Sequence, residues 1–313
     1  MPTFTCPGAA SRIPVSGAPT DVPALSRRRR RRRTMSAPSS PDRQRHPAVR
    51  DLEKLGDAAV AALAAAGVER LLPEAANPYL LIAEHAGNAV PALWRDLGLA
   101  GPYLDTHFAV DIGVDALTRR LSQTLRAPAV IARYSRLFLD YNRPADEWDF
   151  MRPDLGGIPV PGNLAVDAAD ARLRKLVAWA PVERAIIDAA AGCRALISVH
   201  SFTPVMGGVK RNVDIGVLWR EQSPFVNSVL KTLGTQGAEA GFGIGDNEPY
   251  DWRQAVGYTL NRHGLQQGRP CLYLEVRNDL LADPETFERI SRLLENAFST
   301  VAMSLWPQSA VAV

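Results

Sequence analysis

Cysteine is scarce in this 313-residue chain. Its three cysteines, Cys6, Cys193 and Cys271, lie far apart and form no CxxC pair, which argues against a disulfide scaffold and against a structural zinc knuckle. Long apolar runs are also missing, because no stretch reaches the roughly 20 residues that a membrane-spanning helix needs. We therefore expect a protein that works in a reducing, cytoplasmic setting and does not enter the membrane.

Positive charge is concentrated at one end of the chain. Residues 27–33 are consecutive arginines; the first 34 residues carry a net charge of +7 and the whole chain +3, which leaves −4 for the remainder. The body of the protein is therefore mildly acidic and has no basic surface for specific nucleic-acid binding. The arginine run either binds polyanions non-specifically or lies upstream of a true start at Met35. The Pro, Ser, Ala and Arg bias of this segment favours the second interpretation.

We predict a disordered, Arg-rich tail over residues 1–47 and one domain over residues 48–313. In that domain, short apolar runs alternate with helical patterns, which predicts an α/β fold with a mixed, mostly parallel sheet flanked by helices. The predicted strands cover the run before His85 and residues 129–134, 137–141, 195–199, 213–219 and 271–274. Helices are predicted from residue 48, after residue 111, over 167–191 with an end or a kink at Pro181, near 225–233 and from residue 284. Residues 234–249 are predicted to form a Gly-rich loop.

Three chemically active side chains stand where apolar runs end: His85, His200 and Glu275. The carboxyl ends of parallel strands form the ligand-binding edge of such a sheet, so we expect these side chains to converge. Two imidazoles and a carboxylate predict a metal-dependent hydrolase. His85 and His200 supply two of the three protein ligands that a catalytic zinc usually has. For the third ligand we select Asp111, which we place in the first turn of a helix. Glu84 is weaker, because neighbouring strand residues point to opposite faces, and His107 and His263 stay open.

The chain also resembles the N-formylglutamate amidohydrolases. The resemblance runs from Tyr79 to Phe298 and depends on an ordered set of segments. These are EHAGN (84–88), DIG (111–113), YSRLFLDYNRP (134–144), SVHSFTP (198–204), GDNEPY (245–250), YTLNRHG (258–264) and LEVRNDLL (274–281). It implies a zinc-carboxypeptidase-like and aspartoacylase-like fold and the cytoplasmic hydrolysis of N-formyl-L-glutamate to formate and L-glutamate, a step of histidine degradation.

The resemblance also implies roles for individual residues. His85 and His200 would bind zinc, Asn142 and Arg143 would bind the substrate carboxylate, and Glu275 would be the general base. From its own chemistry, Arg136 is either an oxyanion donor or an ion-pair partner of Asp140 or Asp111, and His263 is assigned to substrate binding.

The chain departs from the family pattern at two positions. Asn88 stands where the relatives' His-x-x-Glu ligand pair would place a glutamate, so Asp111 is an inference from the residues. Glu183 stands where a histidine is expected, and we predict a solvated carboxylate at a helix start, or a proton carrier.

Two alternative functions remain open for the whole protein. One is a related metallo-deacylase or carboxypeptidase-like hydrolase acting on another N-acyl substrate, and the other is an inactive protein that binds polyanions through its arginines.

Overall fold

A computed structural model describes residues 55–308 of the chain. The predicted tail and the start of the helix predicted from residue 48 lie outside this range. Nine strands occur within it. In chain order these are β1 (Val68–Leu71), β2 (Tyr79–Ala83), β3 (Ala129–Ala132), β4 (Ala195–Phe202), β5 (Val205–Met206), β6 (Val209–Lys210), β7 (Ile215–Leu218), β8 (Ile244–Asp246) and β9 (Cys271–Arg277).

Seven of these strands form one mixed, mostly parallel sheet in the order β1-β3-β2-β4-β9-β7-β8. The four central strands β3, β2, β4 and β9 run parallel. Strand β1 is antiparallel to β3 and strand β7 to β9, while β8 is parallel to β7. The parallel centre brings the carboxyl ends of β2, β4 and β9 to the same edge of the sheet, as the sequence predicts. Strands β5 and β6 pair separately as a short hairpin.

Helices cover both faces of the sheet. They are α1 (Asp57–Ala66), α2 (Val114–Leu125), α3 (Ala168–Arg174), α4 (Ala180–Ala190), α5 (Pro224–Ala240), α6 (Tyr258–His263), α7 (Asn278–Ala282) and α8 (Pro284–Leu305). Short 3₁₀ segments lie at Ala92–Gly98, Gly101–Asp105, Pro161–Asn163 and Leu265–Gln267. Within residues 55–308, no helix has both the length and the apolarity to span a membrane.

The sheet separates two apolar layers, which explains why its central strands carry apolar residues at nearly every position. In β2, Leu81 packs with α2, α5 and α8, whereas Leu80 and Ile82 pack with α4 and the loops on the opposite face. A strand buried on both faces loses the alternation of apolar and polar residues that marks a half-exposed strand. Both layers hold the sheet firmly, so the strand ends are fixed points from which functional side chains project.

The prediction of a strand over residues 137–141 is wrong. These residues form a turn, in which the Phe138 N–H donates to the Ser135 carbonyl (2.8 Å) and the Leu137 N–H donates to Ser135 Oγ (3.1 Å). Leu137, Phe138 and Leu139 are nevertheless buried, in the apolar layer that also contains α4. A short apolar run reports burial rather than conformation, and here the buried segment is a folded-back turn.

Two other boundaries differ from the sequence prediction. Pro181 does not end its helical region, since a π-helical turn at Lys175–Trp179 joins α3 to α4 and Pro181 lies in the first turn of α4. The predicted Gly-rich loop is largely regular, with α5 continuing to Ala240 and β8 following it. Gly237 lies inside α5, where a Cβ atom would come within 2.6 Å of Ile244 Cγ1, so this glycine permits close packing of the helix on β8.

Candidate metal and active site

His85, Asp111 and His200 converge at the carboxyl edge of the sheet, as predicted. All three are at least 95% buried, and one potential ligand atom from each lies within 4.8 Å of the others. His85 follows β2 by two residues, and His200 lies within β4 two residues before its end. Asp111 precedes α2, which begins at Val114, so its predicted position in the first helical turn is wrong. Its N–H donates to the His85 carbonyl (2.9 Å), which ties the turn to the strand end.

The turn after β2 depends on a glycine. A Cβ atom on Gly87 would lie 2.0 Å from the Arg133 carbonyl oxygen, a distance that no side chain tolerates. The Ala89 N–H donates to that same carbonyl (3.3 Å), and the Ser135 N–H donates to the Ala89 carbonyl (2.8 Å). The segment that carries His85 is thus held against the segment that follows β3, and this close approach accounts for the glycine of the EHAGN motif.

A neighbour fixes each imidazole ring from behind. His85 Nε2 lies 2.8 Å from Asp140 Oδ1, whereas its Nδ1 is buried and has no hydrogen-bond partner within residues 55–308. His200 Nε2 lies 2.9 Å from Ser198 Oγ and 3.4 Å from a carboxylate oxygen of Glu84. Both rings therefore direct Nδ1 toward Asp111, at 3.6 Å from His85 and 2.8 Å from His200. Such outer hydrogen bonds orient the histidines of metal sites.

The charges around the two rings favour a cation between them. The carboxyl groups of Glu84, Asp111, Asp140 and Glu275 are all buried here, with one guanidinium, that of Arg136, among them. Burial alone would raise the pKa of Asp111, but the adjacent histidines hold it well below its usual range. Burial alone would lower the pKa of His200, but hydrogen bonds with Asp111 and Glu84 raise it well above its usual range. Surroundings that favour a proton on an imidazole also favour a divalent ion.

The donor set fits a metal ion. Two imidazole nitrogens and one carboxylate oxygen are ligands that zinc accepts in catalytic sites with three protein ligands. The unpartnered Nδ1 of His85 is the expected feature of such a site, because a buried ring nitrogen is normally hydrogen-bonded or bound to a metal. This part of the chain can therefore hold a divalent ion. Glu84 does not belong to the cluster and instead accepts a hydrogen bond from Ser198 Oγ (2.6 Å) behind His200.

Glu275 stands beside His200. The two residues are register partners on the adjacent parallel strands β4 and β9, so their side chains project from the same face of the sheet. Burial raises the pKa of Glu275 to about 7, and its Oε2 has no hydrogen-bond partner within the described residues. A carboxyl group with a pKa in this range can both accept and return a proton near neutral pH.

The cluster opens into a cavity of about 310 Å³, a size at the lower end of small-molecule pockets. Every predicted site residue except His263 lines it. The complete lining is His85, Asp111, Arg136, Asn142, Arg143, His200, Ser201, Met206, Leu218, Tyr250, Trp252, Ala255, Val256, Tyr273 and Glu275.

Arg136 is the partner of two aspartates. Its Nη1 donates to Asp111 (3.1 Å) and its Nη2 to Asp140 (3.2 Å), which combines the two ion pairs that the sequence leaves open. A guanidinium has five N–H groups, so these bonds leave others available. Arg136 thus secures one candidate metal ligand and the aspartate that orients His85, and it still faces the cavity.

Asn142 and Arg143 are oriented by their neighbours. Asn142 Oδ1 accepts hydrogen bonds from the Tyr273 hydroxyl (2.9 Å) and from the Thr259 N–H (3.1 Å). Because the oxygen is occupied by two donors, the amide presents its NH₂ group elsewhere, and that group has no partner within residues 55–308. Arg143 Nε donates to Asp149 (2.8 Å), which holds the guanidinium at the cavity wall. Both side chains can therefore donate to an anion.

His263 does not line the cavity. Its Nε2 lies 2.8 Å from Glu183 Oε1, and the same carboxylate accepts a hydrogen bond from Arg262 (2.8 Å). The prediction that Glu183 is a solvated carboxylate is wrong, because the residue is 8% exposed and ties α4 to α6. His107 is exposed and lies outside the His85, Asp111 and His200 cluster. Neither histidine is placed to act as a metal ligand.

Two residues that orient the site are absent from the sequence prediction of its functional residues. Asp140 holds His85, and it lies two residues before Asn142 in the YSRLFLDYNRP segment, so its proximity to the predicted residues was an available signal. Tyr273 holds Asn142, and it precedes Glu275 by two residues, which places both on one face of β9. Alternation along that strand could have indicated Tyr273.

A buried carboxyl group next to a cluster fit for a divalent cation is an arrangement that metal-dependent hydrolases use. Comparison with known proteins agrees with this class. The sequence model of the N-formylglutamate amidohydrolase family matches residues 77–282. The chain belongs to this family and is a hydrolase of the amidohydrolase type.

Two of the solved structures that resemble this one match most of its length. The gene product Atu2144 from Agrobacterium tumefaciens is 30% identical in sequence and superimposes with a TM-score of 0.70, over 76% of this chain and 96% of that chain. The N-formylglutamate amidohydrolase from Ralstonia eutropha JMP134 is 21% identical with a TM-score of 0.56, over 78% and 99% of the two chains. The second similarity shows a shared fold. No curated protein matches this chain significantly.

Proposed function

We propose that this protein is a zinc-dependent deacylase of N-acyl amino acids and that N-formyl-L-glutamate, cleaved to formate and L-glutamate, is its substrate. The observation that carries the proposal is the position of Glu275, which is the register partner of His200 and shares a cavity with the His85, Asp111 and His200 cluster. Family membership supports the substrate, since the matching family is named for it.

Substrate binding would use the carboxylate of the amino acid. Arg143 can bind it through two parallel N–H groups, and the Asn142 amide can donate a further hydrogen bond. Tyr273 supports this recognition without touching the anion, because its hydroxyl holds Asn142 Oδ1 and so keeps the amide NH₂ free to donate. Fixing the carboxylate in this way would present the scissile amide to the buried end of the cavity.

His85, Asp111 and His200 would hold the metal. When bound, a divalent ion supplies a Lewis acid that lowers the pKa of water and polarises the acyl carbonyl. Glu275 would take a proton from the attacking water and deliver it to the leaving amine, so that the amide C–N bond breaks and the amino acid departs with a neutral amine. Arg136 would keep Asp111 and Asp140 in place and can donate one of its remaining N–H groups to the developing oxyanion.

The proposal is tested by formate release from N-formyl-L-glutamate with the full-length protein. We expect turnover with zinc bound, loss of turnover after treatment with a chelator, and recovery when zinc is added back. His107→Ala is a matched control, because this histidine is exposed and lies outside the cluster. Turnover that survives complete removal of metal would contradict the metal dependence, and formate release that is absent in the zinc-loaded protein would contradict the substrate.

A further inference from the structure

The arginines in and beside the cavity differ in whether a carboxylate neutralises their charge. Arg136 is paired with Asp111 and Asp140, and Arg143 with Asp149. Arg211 has no carboxylate partner within residues 55–308, although its side chain is half-buried. A half-buried guanidinium without a counter-charge is uncommon, because desolvation of a cation is normally offset by a nearby anion.

Two other arginines, Arg220 and Arg152, also lack a carboxylate partner within this range. The hydrogen bonds of the Arg220 side chain are to the Trp252 and Ala255 carbonyls and to Asn261. The Arg211 side chain, in contrast, bonds to one carbonyl and contacts the cavity wall.

We infer that Arg211 determines substrate specificity by binding the side-chain carboxylate of a dicarboxylic N-acyl amino acid. This inference rests on the proposed function and adds a second anion-binding position to the same site. A substrate such as N-formyl-L-glutamate carries two carboxylates, and Arg143 with Asn142 accounts for only one.

Arg211 lies against residues that form the cavity wall. Its guanidinium stacks 4.7 Å from the ring centroid of Tyr250 and 5.4 Å from that of Phe202. Tyr250 lines the cavity, as does Met206, whose sulfur contacts Arg211 Nη2. The position is also fixed through the backbone, because the Arg211 N–H donates to the Pro204 carbonyl (2.9 Å) across the β5–β6 hairpin. The hairpin thus places the guanidinium beside the cavity.

The hydrogen bonds of Arg211 leave it able to bind an anion. Nη1 donates to the Thr203 carbonyl (3.2 Å) and Nη2 approaches Met206 Sδ. A third N–H group bonds to the Tyr250 hydroxyl, and the two N–H groups that remain are available to an anion. Stacking between two aromatic rings restricts the plane of the guanidinium but does not use its N–H groups. A carboxylate could therefore pair with Arg211 while these contacts stay in place.

The charge around the cavity supports this role. The floor contains four buried carboxyl groups, so a doubly anionic substrate needs cations outside the floor to offset their repulsion. At this side of the cavity, burial and the charges of Arg136, Arg211 and Arg152 lower the pKa of His107, against an opposing effect of Asp111. Neither Arg211 nor Arg152 lines the cavity. Arg211 contacts the lining residues Tyr250 and Met206, whereas Arg152 stacks near Phe108 and Trp148, which do not line it. Arg211 is thus the better placed of the two arginines.

The test compares two nearly isosteric ligands, N-formyl-L-glutamate and N-formyl-L-glutamine, in the zinc-loaded Glu275→Gln protein. Binding is measured by calorimetry, so the result does not depend on turnover. We expect about 10- to 100-fold tighter binding of the glutamate compound, the range for a charge-assisted hydrogen bond. Adding Arg211→Gln should reduce this preference to about twofold or less, chiefly by weakening the glutamate compound. Arg211→Lys should restore part of it, because lysine keeps the charge but not the planar pair of donors.

Several outcomes would overturn the inference. The first is an unchanged preference for the glutamate compound in the Arg211→Gln protein. The second is an equal weakening of both ligands, which would show that Arg211 only stabilises the hairpin. The third is the absence of binding, or of any preference, in the protein that still has Arg211. Arg152→Gln is the matched control and should leave the preference intact. Turnover of N-formyl-L-glutamate by the unmodified protein tests the proposed function separately. A bound but uncleaved glutamate compound would refute that function while leaving the role of Arg211 supported.

Discussion

The floor of the cavity consists of Glu84, His85, Asp111, Asp140, His200 and Glu275, which are buried and hold one another. The rim, by contrast, consists of Asn142, Arg143 and Arg211, and its two guanidinium groups are only half-buried. On the floor, Asp140 fixes His85, and Ser198 with Glu84 fixes His200. Three floor atoms, His85 Nδ1, Glu275 Oε2 and Glu84 Oε1, are left without partners within residues 55–308. At the rim, aromatic rings support Arg211, which has no carboxylate partner there.

This difference separates two tasks. The floor concentrates negative charge and fixed ring nitrogens, which suits a cation and tolerates little change. The rim offers guanidinium and amide donors, which suits an anionic substrate and can vary without disturbing the floor. If this division is correct, substitutions in the floor should change metal content, and substitutions at the rim should change substrate affinity alone. Substitutions in each region can show whether metal binding and substrate binding are separate.

Removal of a floor ligand should have the largest effect. We expect His200→Ala to lose most of its metal and to slow turnover by about 10³-fold or more, because the Lewis acid contributes several kcal/mol to lowering the barrier. Metal content by mass spectrometry and formate release measure the two effects. A His200→Ala protein that retains both metal and activity would show that the cluster is not the metal site.

Asp140→Asn should weaken metal binding about 10- to 100-fold, since it alters the group that orients His85. The affinity can be measured by competition with a chromophoric chelator. Asp105→Asn is a suitable control, because Asp105 is exposed and, among residues 55–308, its side chain bonds only with Asn88. If Asp140→Asn raised KM for the substrate but left metal affinity unchanged, Asp140 would belong functionally to the rim.

Tyr273→Phe should raise KM by about 3- to 10-fold and leave metal content unchanged, because it removes one hydrogen bond that orients Asn142. Steady-state kinetics measure the effect. Tyr141→Phe is a matched control, since the Tyr141 hydroxyl is buried without a partner among the described residues. An equal KM in the Tyr273→Phe protein would remove this residue from the account of carboxylate binding.

His263→Ala should have the smallest kinetic effect, a change in kcat/KM of less than about threefold. It should instead lower the free energy of unfolding by about 1–3 kcal/mol, because Glu183 would keep only the half-exposed Arg262 as a partner. Denaturant unfolding of the full-length protein measures the loss. A decrease in kcat/KM of more than tenfold, with normal metal content, would show that His263 takes part in substrate binding.

The residues that sequence analysis located best are those tied to regular strands. His85, His200 and Glu275 follow or end apolar runs, and the parallel centre of the sheet brings such positions together. The position of Asp111 near the cluster was predictable from the chemistry that a metal requires. The fold class was predictable for the same reason, since strand and helix patterns alternate along the chain.

Other features depend on contacts between distant segments. Glu183 looks like an ordinary helix-start carboxylate, and its partners Arg262 and His263 lie about 80 residues further along the chain. The turn at residues 137–141 has the composition of a strand but packs as a buried loop. The charge balance of Arg211 is likewise invisible in the sequence, because it depends on which carboxylates the fold brings near. These are tertiary properties that local patterns do not contain.

Metal content and formate release, compared between wild-type and Glu275→Gln proteins, decide whether Glu275 is the general base of a metal-dependent hydrolase. Glutamine keeps the shape of the side chain but cannot accept the proton of an attacking water. We predict about one metal ion per chain in both proteins, and turnover about 10²- to 10⁴-fold slower in the variant. Near-normal turnover in Glu275→Gln, or a wild-type protein that cleaves its substrate without metal, would contradict the account.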